Sequence, residues 1–287
     1  MIINWLVFSD LHFQFSNIST KTIREKLTEF IKSEINAEFM IITGDCFYKA
    51  NNKTDVRKTA DYIHELISAC GCEKNNVYIT PGNHDLIRTE LRLSTLSYYT
   101  GIDYSTGRKK ASPNSVDNEA HEALFTKQYF SKFLELHNKV VGKAYGSVHH
   151  LYDNNAYRIL NINTCVLAGG YYTGADENMK NLHLDEGNLS VLDDNFFENV
   201  QQIKNDNKLN IAFMHHGEEY LRENERIKFQ HILEDSHIDI IFTGHSHKIG
   251  VHTYDKTQNR IQEFTCGAPI ADSYSDPSFF YCSFDTT

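Results

Sequence analysis

The chain has 287 residues, of which 40% are hydrophobic and 23% are charged, and its formal net charge at pH 7 is −10. A chain of this length can bury a sizeable core as one large domain, with or without an insertion. The acidic balance argues against a broad basic groove for nucleic-acid backbones, although divalent cations would change the sign of the charge locally and keep a nuclease possible.

Membrane and disulfide signals are both weak in this sequence. No apolar run approaches the roughly 20 residues that a membrane span needs, and the first residues lack the basic segment of a signal peptide. The cysteines are scattered, which favours reduced thiols over a disulfide framework; they are Cys46, Cys70, Cys72, Cys165, Cys266 and Cys282. We therefore expect a cytoplasmic protein, and we interpret Gly71 between Cys70 and Cys72 as a helix cap rather than part of a zinc site.

The first part of the chain repeats a strand, a polar tip and a helix. Apolar runs at 5–8, 39–42 and 77–80 are typical of strands covered on both faces. A helical pattern follows the first run, and Thr22 and Glu25 fit a capping box at its start. This rhythm predicts an α/β layer architecture with a largely parallel sheet, in which ligands bind at the carboxyl ends of the strands.

Residues 86–150 interrupt that rhythm. They are rich in Tyr, Lys and Arg, and a helix is predicted from about 121 to 137. We interpret the stretch as a cap or insertion over the site, within a single domain covering 1–287. Arg88 and Arg92 are candidate substrate-binding residues, with a solvated charged face as the alternative for any single residue here.

The second part of the chain resumes the strand pattern. Apolar runs at 157–164, 209–214 and 238–242 are predicted strands. Three further strands are predicted in the tail, which favours a second sheet over a single doubly wound one; they cover 249–254, 261–266 and 279–284.

Five of the predicted strands end in residues that can bind metals. Such groups are rarely buried unless they are paired or metal-bound, so core packing does not explain five of these ends. Carboxylate, amide and imidazole ligands together suit a pair of borderline transition metals, and the lack of cysteine argues against a closed structural zinc site. The five ends are Asp10-Leu11-His12, Gly44-Asp45, Gly82-Asn83-His84-Asp85, His215-His216 and Gly244-His245-Ser246-His247.

These five ends, in this order and spacing, resemble the motifs of the calcineurin-like metallophosphoesterases, from residue 10 to residue 247. The resemblance implies a four-layer α-β-β-α sandwich of two mixed sheets. It also implies two divalent metal ions, with Mn²⁺ as the expected pair and Fe, Zn, Ni or Co as alternatives.

The resemblance further implies a role for each motif residue. Asp10, His12 and His247 would hold one metal. Asn83, His215 and His245 would hold the second, and Asp45 would bridge the two. The remaining roles fall to the neighbours of these ligands: His84 as the acid for the leaving group, Asp85 as its orienter, His216 as a tentative substrate-binding residue, and Gly82 as the residue that allows a sharp turn.

The function implied is the hydrolysis of a phosphate ester, with a phosphodiester favoured and a metal-bridging hydroxide as the attacking group. A small-molecule substrate is favoured. A metal-dependent DNA or RNA nuclease is the first alternative, including the effector domain of a longer bacterial defence protein. A catalytically silent binding module on the same fold is the second, although every expected ligand is present in the sequence.

Overall fold

The computed structural model describes residues 1–13, 18–51, 54–88, 102–103, 108–109, 129–145, 149–168, 186–189, 199–256, 260–270 and 277–286. Arg92 lies outside these ranges. The helices are α1 (Ile18–Glu34), α2 (Val56–Ala69), α3 (Ser131–Val141) and α4 (Glu223–Asp235). The strands are β1 (Ile2–Phe8), β2 (Phe39–Ile42), β3 (Val77–Ile79), β4 (Ile102–Asp103), β5 (Arg108–Lys109), β6 (His150–Asp153), β7 (Tyr157–Asn161), β8 (Leu209–Phe213), β9 (Ile240–Thr243), β10 (Gly250–Asp255), β11 (Arg260–Thr265) and β12 (Phe280–Asp285).

Ten of these strands form two mixed sheets. The first sheet has the order β12-β1-β2-β3, in which β1, β2 and β3 are parallel and β12 is antiparallel to β1. The second sheet has the order β10-β11-β9-β8-β7-β6, with parallel pairing from β11 to β7 and antiparallel strands at both edges. The short strands β4 and β5 pair with each other.

The two sheets pack face to face, and the side chains of β1 alternate between the two faces of the first sheet, both of which are buried. Trp5 and Val7 enter an apolar cluster with residues of the second sheet, whereas Leu6 and Phe8 face the helices. The ring of Trp5 stacks on Phe39 at a centroid distance of 5.3 Å. This alternation places one core between the sheets and a second core outside the first sheet.

Helices cover both outer faces, which confirms the four-layer sandwich. Residues of α1, α2 and α3 share an apolar cluster with the first sheet, and residues of α4 pack on the second sheet. Phe133, Leu136 and Val140 of α3 are fully buried. The end of the predicted insertion therefore belongs to the core layer, while the cap itself stays a prediction because most of 86–150 lies outside the described ranges.

Local predictions have mixed outcomes. Helix α1 begins at Ile18, so the proposed capping box at Thr22 lies inside the helix and was wrong as a start signal. Helix α2 ends at Ala69, and Gly71 adopts φ +73° just beyond it, as a helix cap requires. All six cysteines are free thiols, as predicted. Within the part of the chain described, no helix has the length and apolarity to cross a membrane.

The fold brings the polar strand ends together. Strands β1, β2 and β3 run in one direction, so their carboxyl ends share one edge, and the loops after β8 and β9 are likewise adjacent. Backbone hydrogen bonds join neighbouring loops: the Asp10 amide donates to the Gly44 carbonyl at 3.1 Å, and the Gly244 amide donates to the His215 carbonyl at 2.9 Å.

Candidate metal centre

The backbone of the predicted ligands is unusual. Five of the seven adopt positive φ, between 41° and 70°, and no other non-glycine residue in the described ranges does so. They are Asp10, His12, Asp45, His245 and His247. Such conformations cost about 1–3 kcal/mol each and persist where the surrounding structure enforces them, typically at functional sites.

The first group of ligand atoms consists of Asp10, His12 and His247. The Nε2 atoms of His12 and His247 lie 2.8 Å apart, and Asp10 Oδ1 lies 3.3 Å from His247 Nε2 and 3.6 Å from His12 Nε2. Asp10 Oδ1 is buried and accepts no hydrogen bond from the described residues. A buried carboxylate oxygen facing two imidazole nitrogens fits a divalent cation.

The second group consists of Asn83, His215 and His245. His215 Nδ1 lies 2.8 Å from the Thr43 carbonyl, which can only accept, so Nδ1 carries the proton and Nε2 presents its lone pair. That Nε2 lies 3.0 Å from Asn83 Oδ1, also an acceptor. Two acceptors at this distance repel unless one cation binds both from the side, so this group also fits a metal. The His245 ring lies 5.2 Å from the His215 ring, centroid to centroid.

Asp45 lies between the two groups. Its Oδ2 is 3.5 Å from His215 Nε2 of the second group and 3.8 Å from His12 Nε2 of the first. Its Oδ1 accepts the backbone N–H of His84 at 2.8 Å. A fully buried carboxylate in this position is suited to bridge two cations.

The electrostatics of the site favour added positive charge. Burial lowers the pKa of His12 to about 4 and that of His215 to about 3, so both imidazoles are neutral at pH 7 and able to bind a metal. Burial, together with the charges of Asp10 and Asp85, raises the pKa of Asp45 well above its usual range. Bound cations would reverse this repulsion among carboxylates.

Asp85 and His84 differ from the prediction. Asp85 Oδ1 accepts the Phe47 amide and Oδ2 accepts the Gly82 amide, each at 2.9 Å. His84 Nδ1 instead lies 2.5 Å from the Tyr48 carbonyl oxygen. The interpretation of Asp85 as the orienter of His84 is therefore corrected: both Asp85 oxygens face backbone amides and hold the loops together, while the Tyr48 carbonyl faces His84.

His84 itself lies in the centre, where its ring is 4.9 Å from that of His12, centroid to centroid. One of its ring nitrogens is also close enough to His12 and Asp45 to share a cation with them. The geometry alone thus allows His84 either to bind a metal or to face the substrate.

The tentative substrate-binding residues are distributed differently. His216 is fully buried, with its Nδ1 2.8 Å from Thr164 Oγ1 and its ring 4.6 Å from that of His245. It has no exposed surface, and one of its ring nitrogens is close enough to His215 and His245 to share a cation with them, so its contact with substrate stays a prediction. Arg88 Nη2 donates to the Asn83 carbonyl at 3.1 Å, so it reaches the site, and its contact with substrate stays a prediction.

Gly82 is required for a different reason than predicted. Its φ of −101° is open to any residue, so a sharp turn does not explain it. A Cβ added to Gly82 would lie 2.0 Å from Asp45 Oδ1. The glycine therefore allows the backbone to approach the bridging carboxylate.

Sequence reasoning missed Tyr48. Its side chain is 54% exposed, and its ring lies 6.1 Å from that of His12 and 6.2 Å from that of His84. Its position three residues after Asp45, in the loop that carries a ligand, was the available signal.

Comparison with known proteins agrees with the motif resemblance. The family model of the calcineurin-like phosphoesterases matches residues 3–249. The uncharacterized metallophosphoesterase-like protein YydB of Bacillus subtilis (strain 168) is 30% identical over 293 residues, covering 97% of this chain and 56% of that protein. The chain thus spans little more than half the length of this relative.

Solved structures also resemble the chain. The protein TT1561 of Thermus thermophilus is 10% identical with a TM-score of 0.43, and the match covers 100% of both chains. GAP50, the anchor in the inner membrane complex of Plasmodium, is 12% identical with a TM-score of 0.47, covering 98% of this chain and 81% of that one.

Proposed function

Because the chain belongs to the calcineurin-like phosphoesterase family, we propose that it hydrolyses phosphodiesters with two divalent cations, Mn²⁺ being the expected pair. Family membership supports metal-dependent hydrolysis of phosphate esters in general. The observation that carries the proposal is the position of Asp45 Oδ2 between two groups of ligand atoms, 3.5 Å from His215 and 3.8 Å from His12.

The division of labour follows from the donor sets. Asp10, His12 and His247 would hold the first cation, and Asn83, His215 and His245 the second, with Asp45 shared. When bound, two such cations activate water and neutralise charge on the phosphoryl oxygens. Two carboxylates cannot cancel the charge of two divalent cations, so the site would attract an anionic ester despite the net charge of −10.

His84 is proposed as the acid that protonates the leaving group. Its Nδ1 faces a carbonyl oxygen, which can only accept, so Nδ1 carries a proton. A second proton on Nε2 would then be available to the leaving oxygen. The contact with the Tyr48 carbonyl would hold the ring in the orientation that this transfer needs.

Two alternatives remain distinguishable from this proposal. A nuclease is favoured by one specific observation, the exposed ring of Tyr48 beside His84, because aromatic side chains stack nucleobases. The acidic chain argues for a small phosphodiester instead. A catalytically silent module is disfavoured because Asp and His side chains from both sheets lie close enough to share cations, and Asn83 Oδ1 lies 3.0 Å from His215 Nε2.

The role of His84 is tested with phosphodiesters that differ in their leaving group. Replacing His84→Ala should lower kcat/KM about 10²–10⁴-fold for an alkyl leaving group, which needs a proton. The loss should be much smaller for p-nitrophenolate, which leaves without one. Metal content, measured by mass spectrometry on dialysed protein, should stay at two Mn²⁺ per chain.

His150→Ala, which removes an exposed histidine of β6, serves as the matched control and should change none of these values. If His84→Ala instead loses metal in parallel with activity towards both leaving groups, His84 is a ligand and not the acid. A wild-type protein that binds two cations yet hydrolyses no phosphodiester would favour the silent module.

A further inference from the structure

A buried carboxylate lies in the second sheet, close to the loops that carry His215 and His245. Glu263 is on β11 and is only 5% exposed. By strand alternation it shares a face with Ile261, whose side chain is part of the apolar core beneath α4. A carboxylate at a core position destabilises the fold unless hydrogen bonds compensate, so its presence there needs an explanation.

The first loop contact of Glu263 is through Thr243. The Thr243 hydroxyl donates to Glu263 Oε1 at 3.0 Å, and the Tyr254 hydroxyl donates to Oε2. Thr243 is the last residue of β9, two positions before His245. One oxygen of the buried carboxylate is therefore tied to the base of the loop that carries His245.

The second loop contact is through Gly217. A Cβ added to Gly217 would lie 2.3 Å from Glu263 Oε1, so the Gly217 backbone packs directly on the same oxygen. Gly217 is two positions after His215. Glu263 Oε1 thus touches both loops that supply imidazoles to the second group of ligands.

We propose that Glu263 is a positioning residue that fixes His215 relative to His245 and thereby sets the affinity of the cation that they would share. The inference rests on the metal centre of the proposed function. Groups that orient metal ligands from outside the coordination sphere typically change metal affinity by 10–100-fold when they are removed. The other group of ligands takes Asp10 and His12 from the first sheet and only His247 from a loop that Glu263 contacts, so it should depend on Glu263 less than the His215–His245 pair does.

The experiment is a calorimetric titration of the metal-free protein with Mn²⁺ in the absence of substrate. Glu263→Leu should weaken the site of His215 and His245 by about 10–100-fold and the other site, which shares only the His247 loop, by a clearly smaller factor. The melting temperature without metal is measured in parallel, because Glu263→Leu deprives the Thr243 and Tyr254 hydroxyls of this acceptor and can lower the stability of the fold by itself. His245→Ala and His247→Ala identify which site is lost.

Two further variants keep the inference testable if Glu263→Leu does not fold. Glu263→Gln keeps an oxygen that accepts from Thr243 and should retain most of the affinity. Thr243→Val removes the hydrogen bond to Glu263 Oε1 together with the contact to Thr265 Oγ1, keeps the carboxylate, and should weaken the same site by a smaller factor. Ile261→Val, on the same face of the same strand, is the matched control and should leave both sites unchanged.

Selective weakening of the His215–His245 site supports the positioning role. Equal weakening of both sites, weakening in proportion to a lowered melting temperature, or unchanged affinity in Glu263→Leu or Thr243→Val would each overturn it. A wild-type protein that binds no Mn²⁺ refutes the metal centre itself, which separates failure of the proposed function from failure of this inference.

Discussion

At the residue scale, the ligands are held in conformations that their own side chains do not favour. Asp10, Asp45 and His245 adopt left-handed backbone angles, and His12 Nε2 and His247 Nε2 face each other at 2.8 Å. The left-handed backbone angles carry a cost in free energy that the surrounding loops must offset. The two imidazole nitrogens lie close enough to bind one cation together, so the loops hold the ligands in the arrangement that the proposed metal needs.

Tyr48 offers a residue-scale prediction about the substrate. Its ring is displayed beside His84 by a fixed turn, because the Tyr48 carbonyl faces His84 Nδ1 and the Ala50 amide donates to the His84 carbonyl at 2.9 Å. If His84 protonates the leaving group, a planar leaving group will stack on Tyr48. Base stacking on an aromatic side chain is worth about 1–3 kcal/mol, or roughly 5- to 150-fold in binding.

The measurement compares two methyl phosphodiesters with similar leaving oxygens, one of thymidine through its 5′ oxygen and one of tetrahydrofurfuryl alcohol. Tyr48→Leu should raise KM about 5- to 150-fold for the thymidine ester and leave kcat and the other ester nearly unchanged. Tyr48→Phe keeps the ring and should behave as the wild type. Equal effects of Tyr48→Leu on the two esters would show that the ring does not read the leaving group.

At the element scale, the site depends on how closely neighbouring loops approach one another. Gly82, after β3, allows the chain to pass so near the loop after β2 that an added Cβ would lie 2.0 Å from Asp45 Oδ1. Asp85 ties the same two loops together through the amides of Phe47 and Gly82. The geometry of Asp45 is therefore set by two loops and not by its own loop alone.

Gly82→Ala tests this dependence. The backbone of Gly82 is extended and unstrained for alanine, so the substitution acts through its clash with Asp45. We expect the affinity for both cations to fall at least ~10-fold, as judged by Mn²⁺ titration, because Asp45 is shared between them. Loss of activity without loss of metal affinity would contradict the proposed bridging role.

Gly142→Ala is the matched control, since it creates strain without a clash. Gly142 follows α3 with φ +76°, and a Cβ there would meet nothing within 4 Å. The substitution should lower the free energy of unfolding by about 1–2 kcal/mol and leave metal affinity unchanged.

Elements and ligands could be predicted from the sequence to different extents. Polar groups directly after apolar runs can be read from the sequence. Because parallel strands end at the same edge of a sheet, these groups also predict which side chains cluster. The start of α1 was not predicted correctly. The capping pattern at Thr22 is only a local signal, and the helix begins four residues earlier, at Ile18. The partners of Asp85 and the burial of Glu263 depend on how separate loops pack, and no local pattern encodes that.

At the scale of the whole molecule, the proposed cations would join the two sheets. The first group combines Asp10 and His12, after β1, with His247, after β9; the second combines Asn83, after β3, with His215 and His245. Each cation would therefore bind ligands from both sheets. Metal binding should stabilise the packing of one sheet on the other, in addition to activating the site.

Metal removal is the corresponding test. A cation that binds only the folded state stabilises it by about 2.7 kcal/mol when its free concentration is 100 times Kd. Loss of both cations would remove about 5.4 kcal/mol, so for a domain of this size we expect the melting temperature to fall by about 10–20 °C with a chelator and to recover when Mn²⁺ is added back. His245→Ala and His247→Ala should each show only part of this shift, because each disturbs one of the two sites. Ser246→Ala, which changes the residue between these ligands, should show the full shift, whereas a melting temperature that does not respond to the chelator would mean that no cation joins the sheets.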